Sequence, residues 1–450
     1  MIDLDVALVG GGFSGCAVAV NLARYAPPNF SLAIFEPHDL GRGAAYGTRH
    51  REHVLNTRAH MMSMRSDEPD DFVRWLGERG GPQDFVSRAL YGEYLNDRAR
   101  AALGRSQFTH VRDRVAAIQA QGDGFILRSS SGARVRARSV VLTTGNPPPQ
   151  DEHLPLAVRL HPGYVADPWR FDYRAVGGHV LVVGSGLTAL DVLVALNGAG
   201  HRGQVHVLSR HGRYPEVHAD VKPYDVIPAL DTRDARSLLR SFRRQAADAA
   251  SRGFDWRAVV DAVRPEAEAI WRRVPPAEQR RFARHARALW ERYRHRAPQQ
   301  VEAVRAQYER AGLLRTYAGR IAAMDRGAVT IALRGGGSLA VHPDWIVNCT
   351  GVGRTAAMAK DPLLGAMLRE GIVSADPSGL GLRVGHDYTA IDSGGDRVPN
   401  LYVAGPPVRG SRFEATAVPE LRRIAEQVTI ELLLVRAGSH SSPRFMEAFS

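Results

Sequence analysis

One unit of sequence is written twice in this chain. Residues 4–36 run as a short apolar stretch, a glycine turn, an apolar helical stretch and a second apolar stretch that stops at Glu36. Residues 179–210 repeat that order and stop at Arg210. Gly10, Gly12 and Gly15 of "GGGFSG" align with Gly184, Gly186 and Ala189 of "GSGLTA". In both copies the terminal charged residue follows the first glycine by 26 positions. Short apolar runs joined in this way predict βαβ units, whose turn lets a pyrophosphate approach the backbone and whose helix offers free N–H groups. The downstream sequence repeats as well. "RVAAI" (114–118) and "RIAAM" (320–324) each open a set of short alternating strands, and each leads to a glycine 31 residues after its arginine, Gly145 and Gly351. The expected fold is α/β: two Rossmann-like dinucleotide-binding domains, each with a small antiparallel meander.

The domain limits follow from punctuation. The consecutive prolines of "GNPPPQDEHLP" (145–155) leave the first unit, because they continue neither helix nor central strand. A helical, arginine-dense insertion at about 220–312 interrupts the second unit. The strand "VPNLYVAG" and the helix "TAVPELRRIAEQVTIELLL" then return to the first. The expected domains are residues 1–165 with 346–450, and residues 176–345 including the insertion.

The two strand ends differ in sign, and that difference assigns the nucleotides. Glu36 is placed to accept hydrogen bonds from ribose hydroxyls, which suits the adenosine of FAD. Arg210, with Ser209 and with His211 or Arg213 nearby, suits a 2′-phosphate, so NADPH is expected in preference to NADH. The FAD contacts expected from the first unit are Gly10, Gly12, Phe13, Ser14, Gly15, Glu36, Thr144 and Gly145. The glycine-rich "GRGAAYGT" adds Arg42, and "HVLNTRAHMMSM" adds Asn56, Arg58 and Met62. The return segment "AGPPVRGSRFEATAVPELR" adds Gly405, Glu414 and Thr416. Gly184, Ser185, Gly186, Leu187, Thr188, Ser209 and Arg210 are the expected NADPH contacts. Arg58, His60, Arg409 and Arg412 are the candidate contacts for a small anionic substrate, since guanidinium groups grip carboxylates and similar anions.

Several classes are excluded on composition. The formal charge of +12 comes from arginine rather than lysine, and no nucleic-acid-binding motif accompanies it. Cys16 and Cys349 have no metal or redox spacing, so neither a metal, a structural disulfide nor a disulfide reductase of the glutathione-reductase kind is expected. The apolar N-terminus follows Asp3 and Asp5 without a basic region, unlike a signal peptide. A cytoplasmic protein without membrane spans is expected.

The succession "GGGFSG", "GRGAAYGT", "LNTRAHMMSM", "GSGLTALDV", "LSRHG" and "RGSRFEATAVPELR" resembles a bacterial group of FAD- and NAD(P)-binding proteins. That group includes the flavoprotein urate hydroxylases of the HpyO type and, more distantly, aspartate N-oxygenases that form nitrosuccinate. Wider relatives often carry Phe-x-Gly-x-x-x-His-Ser between the domains, where this chain reads "LHPGYVADPWRFD", with Asp167-Pro168 in place of His-Ser. The resemblance implies a monooxygenase: hydride passes from NADPH to FAD, oxygen adds at flavin C4a, and one oxygen atom reaches a small substrate, urate before aspartate. An NADPH-dependent flavin reductase and a non-catalytic redox sensor are the other readings.

Overall fold

The computed structural model describes residues 2–105 and 107–438. Its architecture is α/β, with two largely parallel sheets and helices packed on them. Strand β1 (Ile2–Val9) passes through the glycine turn into α1 (Phe13–Tyr25) and returns as β2 (Leu32–Phe35), parallel to β1 with Val6 opposite Leu32. The short α2 (Gly43–Tyr46) and α3 (Asp71–Leu76) and the longer α4 (Arg88–Leu103) lead to β3 (Phe108–Val111), which pairs with β2. A meander of β4 (Val115–Gln121), β5 (Gly124–Ser129) and β6 (Arg134–Leu142) follows, and β6 lies parallel to β1.

After the prolines, α5 (Leu156–Arg159) and β7 (Tyr164–Val165) lead to the second unit. It repeats the first: β8 (Val180–Val183), α6 (Leu187–Gly198) and a parallel β9 (Val205–Ser209). The insertion comprises α7 (Ala235–Ser251), α8 (Trp256–Val263), α9 (Ala267–Arg273), α10 (Pro276–His285) and α11 (Arg287–Arg294). Asp234 and Asp255 cap α7 and α8 by accepting first-turn N–H groups. Leu238, Trp271 and Phe282 form its own small core. Helix α12 (Gln299–Arg310) packs on α6 and feeds β10 (Leu314–Asp325), β11 (Ala328–Leu333), β12 (Ser338–Val341) and β13 (Trp345–Asn348). The chain closes with α13 (Thr355–Met358), α14 (Pro362–Arg369), β14 (Thr389–Ile391), β15 (Arg397–Val403) and α15 (Val418–Gly438), which packs on α1.

The first sheet runs β14-β15-β6-β1-β2-β3, with the other meander strands attached at β6. The second runs β12-β11-β10-β9-β8-β13-β7. Three limits drawn from sequence fall elsewhere in the structure. Both β7 and β13 belong to the second sheet, so neither 165 nor 346 divides the chain between sheets. Likewise α12 lies against α6 rather than with the insertion. The two meanders also break differently. In the first, β6 serves both meander and parallel sheet; in the second, Pro343 interrupts the corresponding run into β12 and β13, because proline lacks a donor for the ladder. Among the described residues no helix is long and apolar enough to cross a membrane.

Candidate functional site

Both glycine turns open onto uncapped helix ends. Gly12 and Gly186 are the N-caps of α1 and α6, and in neither case does a side chain satisfy the first-turn N–H groups. A Cβ on Gly186 would meet nothing within 4 Å, and one on Gly12 only Gly43 Cα at 3.8 Å, so ligand atoms have room to reach the backbone. Gly10 and Gly184 hold φ at +111° and +117°, and a Cβ there would lie 2.5 Å from the Thr143 oxygen and 2.1 Å from the Cys349 oxygen. Left-handed backbone pressed against the return strand leaves glycine as the residue that fits. Buried Ala189 shows that the second turn tolerates the methyl group that Gly15, 2.1 Å from the Gly10 oxygen at its Cβ, does not.

At the end of β2, Glu36 accepts from Gly11 N at 3.0 Å and His38 N at 3.1 Å. The carboxylate is thereby fixed beside the first turn, with lone pairs left over for ligand hydroxyls. Gly11, outside the set expected from sequence, is crowded by Leu40 and Glu36, so the triple glycine serves this contact as well as the turn. At the end of β9 the charge reverses. Arg210, His211 and Arg213 gather there with Arg334, whose Nη1 meets His211 Nδ1. Burial, then Arg334, Arg210 and Arg213, hold His211 below its ordinary pKa, which marks a concentrated positive field. Ser185 Oγ lies 2.8 Å from Ser209 Oγ and donates to the Arg213 carbonyl at 2.7 Å, bracing this loop.

Between the two turns, the segments crossing from one sheet to the other run side by side. Gly353 N donates to the Pro147 oxygen, Arg354 N to Gln150 Oε1 and Thr350 Oγ1 to the Gln150 oxygen, each at 3.3 Å. Thr144 Oγ1, Asn146 Oδ1 and Arg409 Nη1 are buried there without hydrogen-bond partners among the described residues. Arg409 is only 3% exposed; its Nε donates to the Leu380 oxygen at 2.8 Å and its Nη2 to the Gly353 oxygen. Burial, followed by the field of Arg287 and, beyond the opposing Glu291, that of Arg354, pushes the Arg409 guanidinium down to about 10. Burial, then Arg287 and Arg210, likewise hold Arg354 below its ordinary value. Arg287 itself donates to Glu291 Oε1 at 2.6 Å. A band of positive charge thus joins the Arg210 end of the second unit to the Arg409 segment of the first. Gly405, which opens that segment, approaches Ser14 of α1 so closely that a Cβ would lie 2.4 Å from its Oγ.

The remaining expected contacts divide clearly. Phe13, Ser14, Leu187 and Thr188 stand in the first turns of α1 and α6, Gly145 at the start of the first crossing, and Arg42 at α2 with its Nη1 3.3 Å from the Ala89 oxygen. Asn56 lies in the loop where its carbonyl accepts from His218 Nε2 at 3.0 Å. Six other residues of the expected set have partners or surroundings of their own. Arg58 is bound to Gln83 and Asp220 over the Phe85 ring, and exposed His60 bonds the Pro82 oxygen, so both serve contacts away from the crossings. Met62 is 2% exposed and packs in the core of the first unit. Arg412 pairs with Glu268 at 3.3 Å and with the Gly385 and His386 carbonyls. Glu414 is taken by Trp290 Nε1 at 2.8 Å and Arg294 at 3.1 Å, both from the insertion. Thr416 is exposed, its N–H donating to the Glu414 oxygen. Sequence reading missed Arg354 and Arg287. The first was signalled by its place after the "CTG" strand end of the second unit; the second stands in a helix crowded with arginines, where nothing local distinguishes it.

Residues 7–147 match a protein family described as FAD-NAD(P)-binding. Solved structures similar over almost the whole chain include the ornithine N-hydroxylase of Kutzneria sp. 744, at 18% identity and TM-score 0.64, covering 96% of this chain and 100% of that one. The L-lysine 6-monooxygenase of Pseudomonas syringae is similar at 17% identity and TM-score 0.62, covering 96% and 99%. The bacillithiol disulfide reductase of Staphylococcus aureus is similar at 12% identity and TM-score 0.59, covering 97% and 100%. No curated protein matches the chain. At these identities the likeness establishes the fold, the α/β arrangement of two nucleotide-binding units.

Proposed function

We propose that the chain is a flavin-dependent, NADPH-using monooxygenase acting on a small anionic substrate, with urate hydroxylation as the specific reaction and N-oxygenation of an amino acid such as aspartate as the second choice. The observation that carries the substrate class is the arginine band at the twin crossings, above all buried Arg409 with an unpartnered Nη1. A buried cation whose bonds go only to carbonyls favours an anionic ligand. Arg287 and Arg354 complete that binding set; Arg58, His60 and Arg412 leave it.

The residues suit both cofactors. The open turn at Gly12, the orphaned Thr144 Oγ1 and Glu36 suit FAD. The open turn at Gly186 and the three arginines gathered at the end of β9, Arg210, Arg213 and Arg334, suit the pyrophosphate and 2′-phosphate of NADPH. When bound, these groups supply hydride transfer and oxygen activation. The chain orients them through the two helix ends, while the crossings and the insertion hold an anion beside them and exclude water. A thiol–disulfide reductase is disfavoured, because Cys16 and Cys349 are both buried free thiols and burial raises the Cys16 pKa to about 12. Free thiols also suit a cytoplasmic setting.

A substrate screen with urate and acidic amino acids tests the reading, following NADPH oxidation and peroxide together. Substrate-stimulated oxidation without matching peroxide is expected. NADPH oxidation that never responds to an anion, with electrons passing to acceptors under nitrogen, would replace it by the reductase reading.

A further inference from the structure

Helix α11 carries Arg287, Trp290, Glu291 and Arg294 at spacings of three, four and seven residues, which puts all four on one face. At one end of that face stands Arg287, bonded to Glu291 and adding its field to Arg409. At the other, Trp290 Nε1 and Arg294 both engage the Glu414 carboxylate, at 2.8 and 3.1 Å. Arg294 and Glu414 are each 6% exposed, so water does not compete for this contact. Glu414 lies five residues beyond Arg409, in the segment that leaves the Gly405 turn. The same segment grips the insertion elsewhere: Trp271 stacks on Phe413 at 4.4 Å and donates to the Gly410 oxygen at 3.0 Å, and Arg264 makes a two-bond pair with Glu420 at 2.8 and 2.9 Å.

We infer that Glu414 is a positioning residue for the anion site: by holding Trp290 and Arg294 it fixes the register of α11 and so sets Arg287 beside Arg409. The inference rests on the proposed anionic substrate. It also gives Glu414 a role distinct from the FAD contact expected from sequence. A helix rotated by one residue turns its side chains through about 100°, so a slip of α11 would carry Arg287 out of the site while leaving both nucleotide turns intact. The insertion then acts as a fixed roof, pinned to the first unit, that lends one cation to a site whose other cations come from the two units it covers.

The test uses purified FAD-loaded protein and inorganic sulfate as the probe anion, followed by flavin absorbance and tryptophan emission. Wild type is expected to give a saturable sulfate response, and R287Q to lose it. W290F removes one bond to Glu414 while retaining an aromatic ring, and should weaken sulfate several-fold. Because E414Q alone strands the buried Arg294 charge, the paired variant E414Q/R294Q is the folded comparator; it should weaken sulfate about tenfold. Both variants should keep wild-type FAD affinity, which a merely structural role would not spare. Unchanged sulfate affinity in W290F and E414Q/R294Q, or FAD lost in equal proportion, would overturn the inference and leave the anion site standing. No saturable response in the wild type would overturn the anion site and this inference together.

Discussion

Arg210 and Glu36 occupy equivalent positions, yet their surroundings differ as their charges do. Glu36 is braced by two backbone N–H groups, whereas Arg210 stands exposed among His211, Arg213 and Arg334. Replacing Arg210 with Ala should therefore weaken NADPH about 10- to 100-fold, the 1.5–3 kcal/mol of a charged hydrogen bond. NADH, which has no 2′-phosphate, should change little. Dissociation constants for the two nucleotides check this, and equal losses would remove the 2′-phosphate assignment. Arginines elsewhere are less readable singly. Arg409 and Arg412 stand three apart in one motif, but the first bonds only to carbonyls whereas the second is paired with the Glu268 carboxylate.

Among elements, the two βαβ units carry the clearest local instructions. Their strands are apolar runs that end at glycine, and their helices begin without capping side chains because the N–H groups are kept for a ligand. Gly184→Ala offers a clean separation of the units, since it forces a side chain into left-handed backbone against the Cys349 oxygen. It should cost a few kcal/mol locally. NADPH binding should fall by more than tenfold while FAD content stays at the wild-type level. Fluorescence titration of NADPH against flavin absorbance reads both, and parallel loss of the two would mean that the units do not bind separately. The insertion shows the limit of local reading. Its helices, their caps and their apolar faces are legible, but the segment to which it is clamped lies more than a hundred residues away.

At the scale of the molecule, the two units meet through His53 and Arg88 of the first and Asp191 of the second. His53 Nε2 lies 3.1 Å from the Asp191 oxygen, and Arg88 Nη2 lies 3.6 Å from Asp191 Oδ2. Burial first, then His50 and Arg88, lower the His53 pKa from 6.5 to about 3, against its bond to the Asp191 carbonyl. The stability this reflects is present above pH 6.5 and is lost as pH falls towards 3. Burial raises Asp191 from 3.8 to about 6, against Arg88, so its contribution is present below 3.8 and is lost as pH rises through 6. The two slopes are one proton each and cancel between about pH 4 and 6, so the wider His53 window leaves a net loss only just above and just below that range. Wild-type melting temperature should therefore change little between about pH 4 and 6, and His53→Gln, which leaves the Asp191 slope unopposed, should make it rise as pH falls through that range. An unchanged pH slope in the variant would sink this account of the junction.

By itself the sequence determined the α/β class, the two nucleotide turns and the sign of charge at each ribose position. Those features are contiguous: a turn, a helix and a strand end fall within about thirty residues, so spacing and residue type encode them. Tertiary structure decided which arginines are committed and which face the crossings. Arg58 finds Asp220, Arg412 finds Glu268, and Glu414 finds Trp290 and Arg294, in each case across more than a hundred residues. A guanidinium looks the same in sequence whether its partner is a carboxylate across the fold or none at all. Its availability is a property of packing, and only the folded chain fixes it.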